Sequence, residues 1–118
     1  MHARALPLLL FALVTTPSAT YAAAAGGPDL EQGRALYEHF CSACHDPGPG
    51  HPGTMRLGLR SDPAHAVLIE RTDLPAVYVI QIVRSGLQMM PPFRPTEIGD
   101  RELVALAAFV TQHLQAQP

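Results

Sequence analysis

Cys41-Ser42-Ala43-Cys44-His45 is the segment of this 118-residue chain whose residue types and spacing could carry chemistry. Two thiols three positions apart at a helix turn can each add across one vinyl group of a single haem, and the adjoining histidine is then held under the iron as an axial ligand. A disulfide or a thioredoxin-like redox pair is the competing use of two cysteines. That chemistry calls for a preceding strand and a βαβ pattern, and neither is legible here. Zinc would need two further ligands at short spacing, and His51 and His65 stand isolated. The spacing therefore points to one covalent haem c, with Cys41 and Cys44 as thioether anchors and His45 as an axial iron ligand.

An iron held by one histidine has a sixth position. A thioether there favours ferrous iron and raises the potential, which suits electron transfer. Met55, Met89 and Met90 are the candidates beyond the N-terminal segment. Met90 directly precedes Pro91 and Pro92, which remove donors and push the preceding residues into extended geometry. Such a strap presents sulfur at small ordering cost, so Met90 is the expected second axial ligand. Met89 points the other way, to pack on the ring or lie at the surface, and Met55 reads as a loop anchor. A carbonyl from Pro49 or Pro52, beside His51, is expected to accept the Nδ1–H of His45 and fix its tautomer. His39, His65 and His113 read as surface groups. No catalytic pair of the chain's own is visible.

The elements that must position these groups are helical. Pro28 and Asp29 open a helix in which Leu30, Gly33, Leu36, Tyr37, Phe40, Cys41 and Cys44 recur at helical spacing. From Asp46 to Asp62 the density of Pro and Gly predicts a wrapping loop. A short helix is expected over Pro63 to Arg71. Asp73 and Pro75 start another, with Val77, Ile80 and Val83 as its stripe, Val79 and Ile82 alongside, and Gly86 as its C-terminal cap. Asp100 is expected to cap a last helix with Leu103, Leu106, Ala107, Val110 and Leu114 on one face. No alternation demands a sheet. The prediction is an all-α fold of three main helices and a short one, wrapped around a covalent haem that fills a core so short a chain cannot fill alone.

Met1 to Ala25 carries one charged residue, Arg4, then an apolar stretch and small residues. This is the anatomy of a secretory signal. A span of the membrane would need roughly 20 apolar residues, and Thr15, Thr16 and Pro17 break this one. Residues 1–22 are therefore expected to be a signal peptide, cut between 22 and 25, ahead of a domain over 23–118 in the periplasm. Removing 22 of the 118 residues leaves 96, with seven arginines against ten acidic side chains. That balance argues against nucleic acid, which needs a concentrated basic face.

The pattern Gly33-x-x-x-Tyr37-x-x-x-Cys41-x-x-Cys44-His45, then Gly86-x-x-x-Met90-Pro91-Pro92-Phe93, then Glu97-Ile98-x-Asp100-x-Glu102-Leu103-x-x-Leu106-x-x-Phe109, resembles the class I c-type cytochromes. The resemblance implies a close crossing of first and last helices at Gly33 and carries the sixth ligand over to Met90. A narrower likeness lies in His51-Pro52-Gly53-Thr54, in Ala66 to Leu74 and in Met90 to Glu97. These resemble the small cytochrome subunits of p-cresol methylhydroxylase and related flavocytochromes that oxidise 4-alkylphenols. That likeness implies electron acceptance from an FAD-containing flavoprotein subunit and delivery to a soluble redox protein, such as a blue-copper protein, or to an oxidase. The chain departs from many class I members in having neither tryptophan nor lysine, so Arg60, Arg71 and Tyr78 become candidates for the haem propionates. Arg84, Arg94 and Arg101 flank the Met90 segment as a possible charged rim for docking. A free electron shuttle, and a haem enzyme or sensor with a labile sixth ligand, are the alternatives.

Overall fold

The computed structural model describes residues 26–60 and 62–112. The expected signal segment, its cleavage point, Leu114 and His113 lie outside them. Five α-helices follow in order: α1 (Leu30–Phe40), α2 (Ser42–His45), α3 (Pro52–Arg60), α4 (Ala76–Ser85) and α5 (Asp100–Val110), with 3-10 turns at Pro63–His65 and Leu68–Glu70. Among the described residues there is no strand, so the fold is all-α as the sequence predicts.

α1 starts where Asp29 accepts a hydrogen bond from the Gln32 N–H at 3.0 Å, which satisfies one of the donors that a helix leaves open at its N-terminus. It buries Gly33 and Tyr37 against α5, whose inward face carries Leu103, Leu106, Ala107 and Val110. At Gly33 the two backbones meet. A Cβ there would lie 2.8 Å from both the carbonyl carbon of Ala105 and the Cβ of Phe109, and closer still to the Ala105 oxygen. Tyr37 stacks on Phe109 at 5.7 Å between ring centres, which adds a specific contact to the apolar burial.

Four local expectations change. The Pro- and Gly-rich stretch is not loop throughout, because α3 forms from Pro52 onward. Proline suits the first helical position, where its missing N–H costs nothing. The short helix expected over 63–71 is reduced to the two 3-10 turns. In α4 the buried stripe is Val79 and Val83, whereas Val77 is 70% exposed. The helix begins at Ala76, and Asp73 does not cap it because its carboxylate is bound to Arg71. α5 is likewise capped at Gly99: the Glu102 carboxylate accepts the Gly99 N–H at 2.7 Å, while Asp100, inside the helix, pairs with Arg84 at 2.7 Å.

The segment between α4 and α5 is tied down at both ends. Gly86 ends α4 as expected, donating to the Ile82 carbonyl with φ +71° and ψ 168°, a conformation that belongs to glycine. Leu87 and Met90 then exchange backbone hydrogen bonds at 3.1 and 3.0 Å across a turn in which Gln88 takes a φ of +57°. Beyond the prolines, the Phe93 N–H donates to the Val83 carbonyl at 2.8 Å, and the Arg84 guanidinium donates to the Phe93 carbonyl at 3.1 Å. Gly86→Ala should destabilise the protein by about 2–3 kcal/mol, from the forbidden dihedral pair and from a Cβ 2.7 Å from the Met90 carbonyl. Urea unfolding measures this, and a midpoint equal to wild type would contradict the account of the turn.

Candidate functional site

The helices leave an apolar cavity of about 420 Å³, within the range that holds cofactor-sized ligands. One wall is Cys41, Cys44 and His45. The floor comes from Val79, Ile82 and Val83 of α4 and from Leu106 and Val110 of α5. The segment Leu87 to Pro91 completes the lining and brings Met90 to the same space. Cys41, Cys44, His45 and Met90, far apart in sequence, therefore share one cavity.

Local structure explains each placement. α1 does not run on through the cysteines. It stops at Cys41, whose φ of −115° departs from helical geometry, and α2 re-forms a single turn carrying Cys44 and His45. Cys41 is buried and Cys44 exposed, and their thiols are not bonded to each other. Burial above all, with Cys44 nearby, pushes the Cys41 thiol up to about 11, so it stays a thiol rather than a reactive thiolate.

His45 is covered by the first turn of α3. A Cβ on Gly53 would sit 2.7 Å from the Cys44 carbonyl, 2.8 Å from the His45 Cε1 and 2.9 Å from its Nδ1. The Nδ1 is buried without a hydrogen-bond partner. The expected acceptance by a Pro49 or Pro52 carbonyl is thus not met, for a reason that follows from α3 itself: the N-terminus of a helix presents N–H groups, and its carbonyls point the other way along the axis. His51 instead bonds through its own Nδ1 to the carbonyls of Ser42, at 3.0 Å, and Ala43, at 3.3 Å. Thr54 donates to the Asp46 carbonyl at 2.9 Å. Together they seat α3 on α2. Burial lowers the pKa of His45, which favours the neutral ring that a metal ligand needs. With Nδ1 closed off, Nε2 is the nitrogen left for the cavity.

This arrangement fits a covalently held haem: two unpaired thiols, a histidine with one nitrogen covered, and a thioether, all lining one apolar space. Over residues 28–110 the chain matches the family described as cytochrome c oxidase, cbb3-type, subunit III. The chain belongs to this family of c-type cytochromes. Covalent haem c and electron transfer come with that membership. The cytochrome is also 29% identical, over 79 residues, to the 4-cresol dehydrogenase [hydroxylating] cytochrome c subunit of Pseudomonas putida. The match covers 67% of this chain and 58% of that relative's length. No solved structure gives a significant match to the cytochrome.

Other sequence-selected residues fall elsewhere. Met89 lines the mouth of the cavity but is 79% exposed, in keeping with its expected outward direction. Met55 anchors no loop; it stands on α3, more than half exposed. Arg84 is not a rim charge but a strut between Phe93 and Asp100, and Arg94 pairs with Glu97. Gly53 is the residue that sequence reading left without a role. Its substitution in Gly53→Ala should displace the His45 ring or part α3 from α2, at a cost of about 1–3 kcal/mol for overpacking. Thermal unfolding checks the cost. Gly26→Ala, where nothing lies within 4 Å, should leave the midpoint in place.

Proposed function

We propose that this cytochrome carries one haem, with Cys41 and Cys44 as its thioether anchors and His45 and Met90 as its axial ligands, and that it is the electron-accepting subunit of a flavoprotein dehydrogenase. The observation that carries the reading is the cavity itself, whose lining brings together His45, both cysteines and the strapped Met90. Haem c bound there supplies a one-electron iron couple.

The chain's own residues do the rest. Cys41 and Cys44 would hold the group through two thioethers, each the net addition of one S–H across one vinyl C=C. His45 is fixed in ring orientation by Gly53. Met90 is held by the Leu87 turn on one side and by Phe93 on the other, so the sulfur moves little between oxidation states. His45 and Met90 would together leave the iron no open position, so on this reading substrate oxidation is assigned to another protein.

The relative's name supports a partner that dehydrogenates 4-cresol; on the likeness to flavocytochromes, this partner is an FAD-containing subunit oxidising a 4-alkylphenol such as p-cresol, and the cytochrome is exported to the periplasm behind a cleaved signal. A soluble acceptor, such as a blue-copper protein or an oxidase, completes the chain of transfers. Among the described residues no helix is long and apolar enough to cross a membrane. The second reading, a free shuttle, is favoured by the small size of the domain. Size-exclusion chromatography of native extract separates the two: co-elution of haem and flavin absorbance supports the subunit, whereas a lone haem species of about 10 kDa, the mass expected for a domain of this length, would refute it.

A further inference from the structure

The charged side chains that line the cavity are all arginines: Arg56, Arg60 and Arg71. Among the described residues no aspartate or glutamate lines it, although the chain has more acidic residues than basic ones. A mostly apolar cavity that gathers only positive charge selects a ligand with an apolar body and acid groups at its edge. We propose that Arg56, Arg60 and Arg71 form a carboxylate-binding site at the rim of this cavity and take the two propionates of the haem. The proposal rests on the haem reading given above and assigns residues to a part of the ligand which that reading leaves unheld.

The three arginines are not equivalent. Arg71 is pre-set: its Nε and one Nη donate to the two oxygens of Asp73 at 2.8 and 2.6 Å, and its side chain is only 14% exposed. A guanidinium has five N–H donors, so a fork held by Asp73 keeps donors for a second carboxylate. Its orienting partner is already fixed, so little freedom is lost when that second carboxylate binds. Arg56 and Arg60 stand one turn apart on α3 and are exposed. Like charges at that spacing repel, and no carboxylate among the described residues pairs with either. An anion between them relieves the repulsion. Arg71 therefore takes the less solvated propionate, and the α3 pair takes the one nearer water. Tyr78 lines the same cavity and adds a hydroxyl donor. Of the residues that the sequence offered for this task, Arg60 and Arg71 are kept, and Arg56 joins them.

The test uses the haem-loaded protein. Haem attachment depends on the cysteines, so pyridine-haemochrome absorbance per chain should be unchanged in Arg71→Gln and in the double variant Arg56→Gln/Arg60→Gln. Deleting a cation beside the haem favours ferric iron. The midpoint potential should therefore fall in both variants, more in Arg71→Gln, with partial return in Arg71→Lys, which restores charge but not the fork. Arg101→Gln, outside the cavity, should leave it unmoved. In the reduced wild-type protein, nuclear Overhauser contacts should join the propionate methylenes to the Arg71 side chain. Loaded variants with wild-type potentials, or propionates without contact to any of the three arginines, overturn this assignment alone. A wild-type chain without haem overturns the functional reading and this assignment with it.

Discussion

Gly33→Ala is expected to cost the protein about 3 kcal/mol or more, at the upper end of what overpacking does. The added methyl would lie inside the contact distance of Ala105 and Phe109. Two of the atoms it meets are backbone, so no rotamer change relieves the clash, and α1 and α5 must move apart. The same movement would loosen Tyr37 from Phe109 and open the face formed by Leu103, Leu106 and Val110. Against a typical stability of about 5–15 kcal/mol, this is a large fraction. In a domain of this size it corresponds to a fall in Tm of roughly 12–24 °C. Differential scanning calorimetry measures it, with Gly27→Ala as the comparison, since a Cβ at Gly27 meets nothing within 4 Å. An unchanged Tm for Gly33→Ala would mean that the two helices do not cross where the structure has them.

Met90→Ala should have the largest effect on redox behaviour. On the proposed ligation it removes the thioether that favours ferrous iron and leaves the sixth position to water or an added ligand. Axial ligand choice spans about 0.8 V across haem proteins, so the midpoint potential should fall by on the order of tenths of a volt. Carbon monoxide, which the proposed ligation should exclude from the wild-type ferrous protein, should then bind rapidly. Met89→Ala is the informative partner, because the two methionines are adjacent and Met89 is at the surface. It should leave both spectrum and potential as they were. If Met90→Ala also leaves them unchanged, Met90 is not the ligand, and the same loss appearing in Met89→Ala would move the role by one residue.

Much of this was legible in the sequence because it depends on short-range spacing. The Cys41 to His45 pentapeptide, the Asp29 cap, the glycine at 33 and the Met90-Pro91-Pro92 strap each declare themselves within a few residues. What sequence reading missed depends on partners distant along the chain. α3 was hidden because two glycines within a helix cost about 1 kcal/mol each in propensity. That cost is offset by Gly53 fitting against His45 and by the bonds from His51 and Thr54 to the α2 region. A signal did exist: Pro52 at a first helical position, followed by Met55, Arg56, Leu57 and Arg60, all good helix formers. Asp73 belongs to the start signal of α4, but only the fold shows that Arg71 holds its carboxylate and that Val79 and Val83, not Val77, face the core. The Gly99 cap was displaced by one residue for a like reason, since Asp100 is drawn to Arg84 across the gap between α4 and α5.

The crossing of α1 with α5 also orders the events of the protein's formation. It joins segments from opposite ends of the described chain, so the principal contact of the fold cannot exist until the last helix has been made. Contacts of such long sequence separation close late and slowly compared with local ones. The cysteine pair, by contrast, lies directly after α1 and emerges early. Its thiols are therefore accessible for as long as α5 has not closed against α1.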